Sequence, residues 1–171
     1  FDQPLLWQYG QYLGNLLQGD MGQSLRYDQP VTTLIGERVP ATVLLAVTAL
    51  GWSTAAGLLL GLVRAVWRNS VWDLIARLLA FSGQAIPVFW LGLLMILFFS
   101  LQLRLLPSSG YGDLTHLIMP AVSLGAYYMS AIARLVRASL IDVLHQDYIR
   151  TAQAKGLSAW RILIRHGLRN A

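Results

Sequence analysis

Pro40-Ala-Thr-Val-Leu-Leu-Ala-Val-Thr-Ala-Leu-Gly-Trp-Ser-Thr-Ala-Ala-Gly-Leu-Leu-Leu-Gly-Leu-Val63 runs for 24 residues without an Asp, Glu, Lys, Arg or His. A helix rises about 1.5 Å per residue and the hydrocarbon layer is about 30 Å thick, so about 20 such residues cross it. Two further apolar stretches follow, from about Leu74 to Leu103 and from Leu117 to Ala133. The second is long enough to tilt or extend beyond the bilayer. The third spans only by borrowing residues beyond its ends. Helices are the expected form, because each satisfies its own backbone in lipid. The whole composition agrees: 56% of residues are hydrophobic and 12% charged, against about 25% charged in a soluble domain. The reading is an all-α, polytopic membrane protein with three spanning helices and cytoplasmic helices after them.

The basic residues orient it. Of 13 Lys and Arg, seven lie from Arg134 to Arg169, opposed only by Asp142 and Asp147. Arg64, Arg68 and Arg77 follow the first span against Asp73, whereas residues 1–38 hold two Arg against four acids. The positive-inside rule puts the first two clusters in the cytoplasm. The chain then reads as an extracytoplasmic interfacial segment (1–39), a span (40–63), a cytoplasmic loop (64–73), a span (74–103), an outer loop (104–116), a span (117–135) and a cytoplasmic segment (136–171). An odd number of spans with an exterior N-terminus and no signal sequence suggests a further span upstream.

Leu5, Leu6, Tyr9, Leu13, Leu16 and Leu17 recur at helical spacing and stop at Gly19-Asp20-Met21-Gly22, which predicts a helix lying at the interface or packed on the outer face. Pro30 to Arg38 predicts a second short helix, and Pro40 sits where a span begins without losing a needed N–H.

No phosphate-binding Gly-x-x-x-x-Gly-Lys-Ser/Thr loop, no His-Glu-x-x-His and no Gly-x-Ser-x-Gly is present, and the three His are scattered. Without cysteine or a His/carboxylate pair there is no metal set, so neither a catalytic residue nor a cofactor is expected. No acid, Lys or His lies within the apolar stretches, which argues against an ion-driven carrier. The spans carry small and polar residues instead. Gly57 and Gly61 are spaced for close helix packing, the plainer reading beside a place on a pathway. Pro87 predicts a kink, and Gln84 before it either lines a solvent-filled route or serves packing. Ser123 and Tyr127, with Tyr128 and Ser130, give the third span a polar stripe of similar ambiguity.

The cytoplasmic segment is the informative part. Leu135 to Lys155 continues helically, Gly156 breaks it, and Ser158 caps the next helix. On a wheel of about 100° per residue, Trp160, Leu163, Ile164, Gly167, Leu168 and Ala171 share one side. Arg161, Arg165 and Arg169 form an adjoining stripe, and only Ile162 falls on the wrong side. Such a helix–Gly–helix lies on lipid headgroups or docks into a protein partner.

Arg150-Thr-Ala-Gln-Ala-Lys-Gly156-Leu-Ser with Arg165-His-Gly-Leu-Arg-Asn-Ala171 resembles the cytoplasmic coupling motif of ABC importer permeases. More narrowly, it is similar to the first permease of the dipeptide/oligopeptide/nickel group. Asp2-Gln-Pro-Leu, Gly19-Asp-Met-Gly-Gln-Ser24, Glu37-Arg-Val-Pro-Ala-Thr42, Ile86-Pro-Val-Phe-Trp90, Leu106-Pro-Ser-Ser-Gly110 and Asp147-Tyr148 agree with it. The general motif reads Glu-Ala-Ala, three residues, then Gly; Arg150-Thr151-Ala152 departs from it in the manner of the peptide/nickel group. The resemblance implies one span before Phe1 and two after Ala171. It implies ATP-driven import of peptides, nickel, glutathione or opine-like chelates across a bacterial or archaeal cytoplasmic membrane. The implied partners are a second permease subunit, two ATPase subunits that hold the ATP, an extracytoplasmic solute-binding protein and membrane lipid, with no nucleic acid. Arg150, Thr151, Ala152, Gln153, Ala154, Lys155 and Gly156 become the residues that couple to the ATPase. A secondary carrier, a channel subunit and a non-transporting membrane scaffold are the alternatives.

Overall fold

The computed structural model describes residues 4–170; Asp2, Gln3 and Ala171 of the motifs above lie outside the described residues. Among the described residues all regular structure is helical, apart from one isolated bridge between Gln23 and Pro30. The first of two compact units ends at Leu44 and the second begins at Leu45.

The first unit opens with α1 (Leu5–Leu17), which buries none of its residues. Gly19, at φ +84°, ends it: its N–H donates to the Leu16 carbonyl (3.0 Å) and the Asp20 N–H to the Asn15 carbonyl (2.9 Å). This pair of bonds satisfies carbonyls that a helix terminus otherwise leaves bare. A tight loop comes next, closed by bonds from the Ser24 N–H to Gln29 O and from the Val31 N–H to Gly22 O. Helix α2 then starts at Val31. The separate short helix is therefore corrected, and Pro40 does not open a helix: α2 is one helix, Val31–Val66, with Pro40 inside it. Pro40 gives up one backbone bond. Two residues on, the Thr42 hydroxyl donates to the Arg38 carbonyl (3.1 Å), the i−4 back-bond common for a threonine inside a helix.

The second unit is organised around α5 (Leu114–Leu144). The third span thus borrows residues at both ends, mostly on the C-terminal side, and reaches 31 residues. Small residues let two helices press against it. Ala49, Ser53, Gly57 and Gly61 form the buried stripe of α2. A Cβ on Gly57 would lie 2.8 Å from the Ile132 Cβ, and one on Gly61 2.7 Å from that of Val136. The Trp52 indole N–H donates to the Ala121 carbonyl (2.6 Å) across the same contact. Packing, not a pathway, is thus the role of Gly57 and Gly61, as expected where lipid supplies no hydrophobic drive. Helix α3 (Val71–Ala85) offers a similar stripe, Ala76, Ala80 and Gly83, and a Cβ on Gly83 would meet the Ala126 carbonyl at 2.5 Å.

The turn from α2 to α3 carries a buried ion cluster that the sequence reading used only for counting charge. Asp73 is fully buried; it accepts from Arg64 Nε (3.4 Å), Arg77 Nη2 (3.1 Å) and the Asn69 N–H (3.2 Å). Ser70 caps α3 by accepting from the Asp73 N–H (3.3 Å).

The stretch 74–103 is not one kinked helix. Helix α3 and α4 (Val88–Met95, continuing π-helically as Ile96–Gln102) are bent from each other by 109°. The proline explains why the break exceeds a kink: Pro87 pushes Ile86 out of the helical region, to φ −90° and ψ 124°. The Ile86 N–H still closes α3 on Ser82 O (3.0 Å), while Pro87 O accepts from the Leu91 N–H (3.0 Å) to start α4. Among the described residues two helices, α2 and α5, are long and apolar enough to cross a membrane, and three spans result if the bent pair is counted as one.

Candidate functional site

After α5 the chain turns at His145 and Gln146 into α6 (Asp147–Ala154) and then α7 (Ala159–Ile162, continuing π-helically as Leu163–Leu168). Lys155 is the C-cap of α6, and Gly156, at φ +75°, comes directly after it. The Gly156 N–H donates to Gln153 O (2.9 Å) and the Leu157 N–H to Ala152 O (3.3 Å). These two bonds and the left-handed glycine form a Schellman stop. Ser158 caps α7 immediately afterwards, its hydroxyl accepting from the Arg161 N–H (3.4 Å).

An eight-residue helix is too short to stand on local propensity. What holds α6 is apolar burial: Ile149, Ala152 and Ile162 form a core, with Leu144 and Leu157 packed against it. Leu157 is the residue after the glycine, so the stop also folds an apolar side chain back under its own helix. Tyr148 adds a polar tie. Its hydroxyl donates to His166 O (3.4 Å) and accepts from Asn170 Nδ2 (3.3 Å), which also reaches His166 O (3.0 Å). Helices α6 and α7 are thereby a bracket, closed at one end by Gly156 and at the other by Tyr148.

Of the seven motif residues only Ala152 is buried; Arg150, Thr151, Gln153, Ala154, Lys155 and Gly156 are exposed. Among the described residues the one ion pair there is a loose contact between Arg150 and Asp147 (3.6 Å) on a solvated surface. The exposed edge therefore offers one unpaired ammonium, two amide or hydroxyl groups and bare backbone around Gly156, where nothing lies within 4 Å of a Cβ.

The wheel for 160–171 needs correction. Ile162, Leu163 and Gly167 are buried, and Trp160 and Ile164 are exposed. Ile162 is thus a core residue and not the odd one out. From Leu163 the helix is π-helical, with i→i+5 bonds, so each residue turns through less than the 100° assumed and the apolar side shifts.

The three candidate pathway residues do not converge. Ser123 is buried and donates to its own helix at Met119 O (2.9 Å). It lines a partly open pocket of about 300 Å³ with Phe89, Ser108, Ser109 and His116. Tyr127 is half-exposed and meets Tyr128 edge to face, with ring centroids 5.8 Å apart. Gln84 is exposed, and its side-chain oxygen accepts from Arg134 Nη1. Arg134 counts in the sequence only as one of the basic cluster, and its pairing with Gln84, 50 residues away, has no local signal. Asp147-Tyr148 and Arg165-His-Gly-Leu-Arg-Asn170, by contrast, stood out as separate fragments and are joined here by one hydroxyl.

Residues 53–171, which include α3 to α7 and most of the second unit, match the family described as the binding-protein-dependent transport system inner membrane component. A glutathione transport system permease protein of Pectobacterium atrosepticum is 44% identical over 170 residues, covering 99% of this chain and 56% of that protein. Proteins of the same description from Escherichia coli K12 and Shigella dysenteriae are each 42% identical over the same extents. The chain spans a little over half the length of these relatives. With its matched region running through the bracket and both helices packed on α5, the chain belongs to the binding-protein-dependent transport system inner membrane components.

Proposed function

We propose that the chain is the transmembrane permease part of an ATP-driven importer, and that the α6–α7 bracket is where a separate ATPase subunit engages it. The observation that carries this reading is the exposure of Arg150, Thr151, Gln153, Ala154, Lys155 and Gly156 on a bracket whose opposite side is buried. A bracket held by packing transmits a push from a partner as rigid-body motion, the ordinary means of alternating access. The chain itself neither binds nor hydrolyses ATP in this reading. Its partners are two ATPase subunits, a second permease subunit and an extracytoplasmic solute-binding protein. The segment before Pro40 and the 104–116 loop face outward, and the bracket faces the cytoplasm. The solute is a small peptide, glutathione first, because the relatives are described as glutathione permeases.

The test is site-specific crosslinking in the full-length, assembled system, in a chain that has no native cysteine. A cysteine at Lys155 crosslinks to the ATPase subunit, and a cysteine at Ser109 is labelled by an impermeant reagent from outside. Labelling of Lys155 from outside, or ATP hydrolysis by the purified subunit alone, overturns the reading.

A further inference from the structure

Arg134 is a cation without a carboxylate. Arg64 and Arg77 share Asp73, and Arg150 meets Asp147, but among the described residues no ion pair involves Arg134 or Arg137. Arg134 meets only the neutral Gln84 amide, so its charge is oriented and not cancelled. One turn on, Arg137 keeps a buried Nε with no hydrogen-bond partner.

The place of Arg134 matters as much as its charge. Ten residues separate it from Leu144, the end of α5, which is about 15 Å of helix. Gln84 lies 13 residues beyond Val71, the start of α3, or about 20 Å. Both measures set the guanidinium within the helical pack, at the cytoplasmic end of the span read as 117–135. It is nevertheless exposed, as are Gln84 and Tyr127. Tyr127 precedes Arg134 by seven residues, two turns of the helix, so the two share one side of α5. A face carrying a guanidinium, an amide and a phenol along the inner half of a span is unsuited to hydrocarbon, where ionisable groups turn to water or to protein.

We propose that Arg134, held in place by Gln84, is a carboxylate-binding residue on the wall of the solute route, with Arg137 adding charge beside it. The inference rests on the permease reading above. A guanidinium suits this role because its planar fork meets a carboxylate through two parallel bonds and stays charged at any physiological pH. Gln84 is a positioning residue. Its amide fixes the guanidinium without neutralising it, which an acid in that place would do. The ligand class is a solute with a free carboxylate, such as a peptide C-terminus.

Uptake of glutathione and of its C-terminal amide is compared in the full-length assembled transporter, with the same binding protein throughout, so that selectivity of delivery cancels between variants. Arg134→Gln lowers the acid-to-amide uptake ratio about tenfold or more, as loss of a dedicated bidentate partner does. Arg134→Lys, which keeps the charge, retains most of the ratio and guards against a variant that fails to assemble. Gln84→Leu raises KM for glutathione and leaves kcat near wild type, a split that a merely structural role would not produce. An unchanged ratio in Arg134→Gln overturns the inference, and so does equal loss of both solutes in Arg134→Gln and Arg134→Lys. Absence of ATP-driven uptake by the wild type, of these solutes and of every peptide its binding protein carries, overturns the permease reading itself, and this inference with it.

Discussion

Helices α1 and α6 lie in different units and stop by the same device. Each ends on a glycine in the left-handed region, Gly19 at φ +84° and Gly156 at +75°. In each the glycine N–H and the next N–H return to carbonyls of the last turn, at 3.0 and 2.9 Å in α1 and at 2.9 and 3.3 Å in α6. The next residue is where they part. Asp20 follows Gly19 and accepts from the Gly22 N–H (2.9 Å), so the chain continues as a polar loop. Leu157 follows Gly156 and packs against Ile149, Ala152 and Ile162. Helix α1 has 13 residues and buries none; α6 has eight and buries two. A glycine stop thus fixes where a helix ends, and the residue after it decides whether the next segment is tied down.

The largest test of this difference is to empty the core on one side and its counterpart on the other. Ile149 is 1% exposed, so Ile149→Ala deletes methyl groups from a closed site and costs about 2–5 kcal/mol. Leu13→Ala in α1 removes a side chain that is 38% exposed and costs no more than about 0.5 kcal/mol of the chain's own stability. Hydrogen exchange over 147–170 and over 5–17 reads both: protection of the bracket collapses in the first variant, and α1 is unchanged in the second. Equal losses in the two segments would show that α1 is held as firmly as α6.

A smaller effect separates backbone from partner. Neither Gly19 nor Gly156 has anything within 4 Å of a would-be Cβ, so alanine at either place meets only the conformational penalty, about 1–2 kcal/mol. Within the chain the two substitutions are matched. In an uptake assay they are not: Gly19→Ala transports near wild type, Gly156→Ala is impaired, and Gly156→Val, still inserted, loses uptake and ATPase association. Ser139→Val, upstream of the bracket, is the control and transports normally. Normal uptake by Gly156→Val with its ATPase bound would return the cytoplasmic segment to a lipid-surface role.

The parts of this molecule that were legible in sequence are those governed by neighbours a few residues apart. The stops at Gly19 and Gly156, the cap at Ser158 and the apolar length of α2 and α5 all depend on such local rules. Pro87 was legible as a disturbance and turns Ile86 extended by a local rule, but the 109° angle between α3 and α4 goes with how each packs on α5. Pro40 read as a helix start and is a helix interior, because local preference for proline at a first turn does not exclude a tolerated one. The burial of Ile162 was misread because a wheel presumes α winding, and the π turn after it breaks that presumption. The Arg134–Gln84 and Arg64–Asp73 contacts join separate helices and have no short-range signature, whereas Asp73–Arg77 is an i, i+4 pair within α3.

The smallest effect concerns the polar tie at the far end of the bracket. Tyr148 links α6 to the end of the bracket through one hydroxyl, shared between His166 O at 3.4 Å and Asn170 Nδ2 at 3.3 Å. Both bonds are long and lie on an exposed surface, so their net worth is at the low end of the usual range, about 0.5–1.5 kcal/mol. Tyr148→Phe keeps the ring, which is 42% exposed, and removes only the hydroxyl. Asn170 retains its bond to His166 O at 3.0 Å, so no polar atom is stranded. Protection from hydrogen exchange therefore falls modestly over 163–170 and stays at the wild-type level over 147–154, where Ile149 and Ala152 hold the helix. Loss of protection in both segments to the same degree would mean that the hydroxyl, and not the apolar core, holds the bracket together.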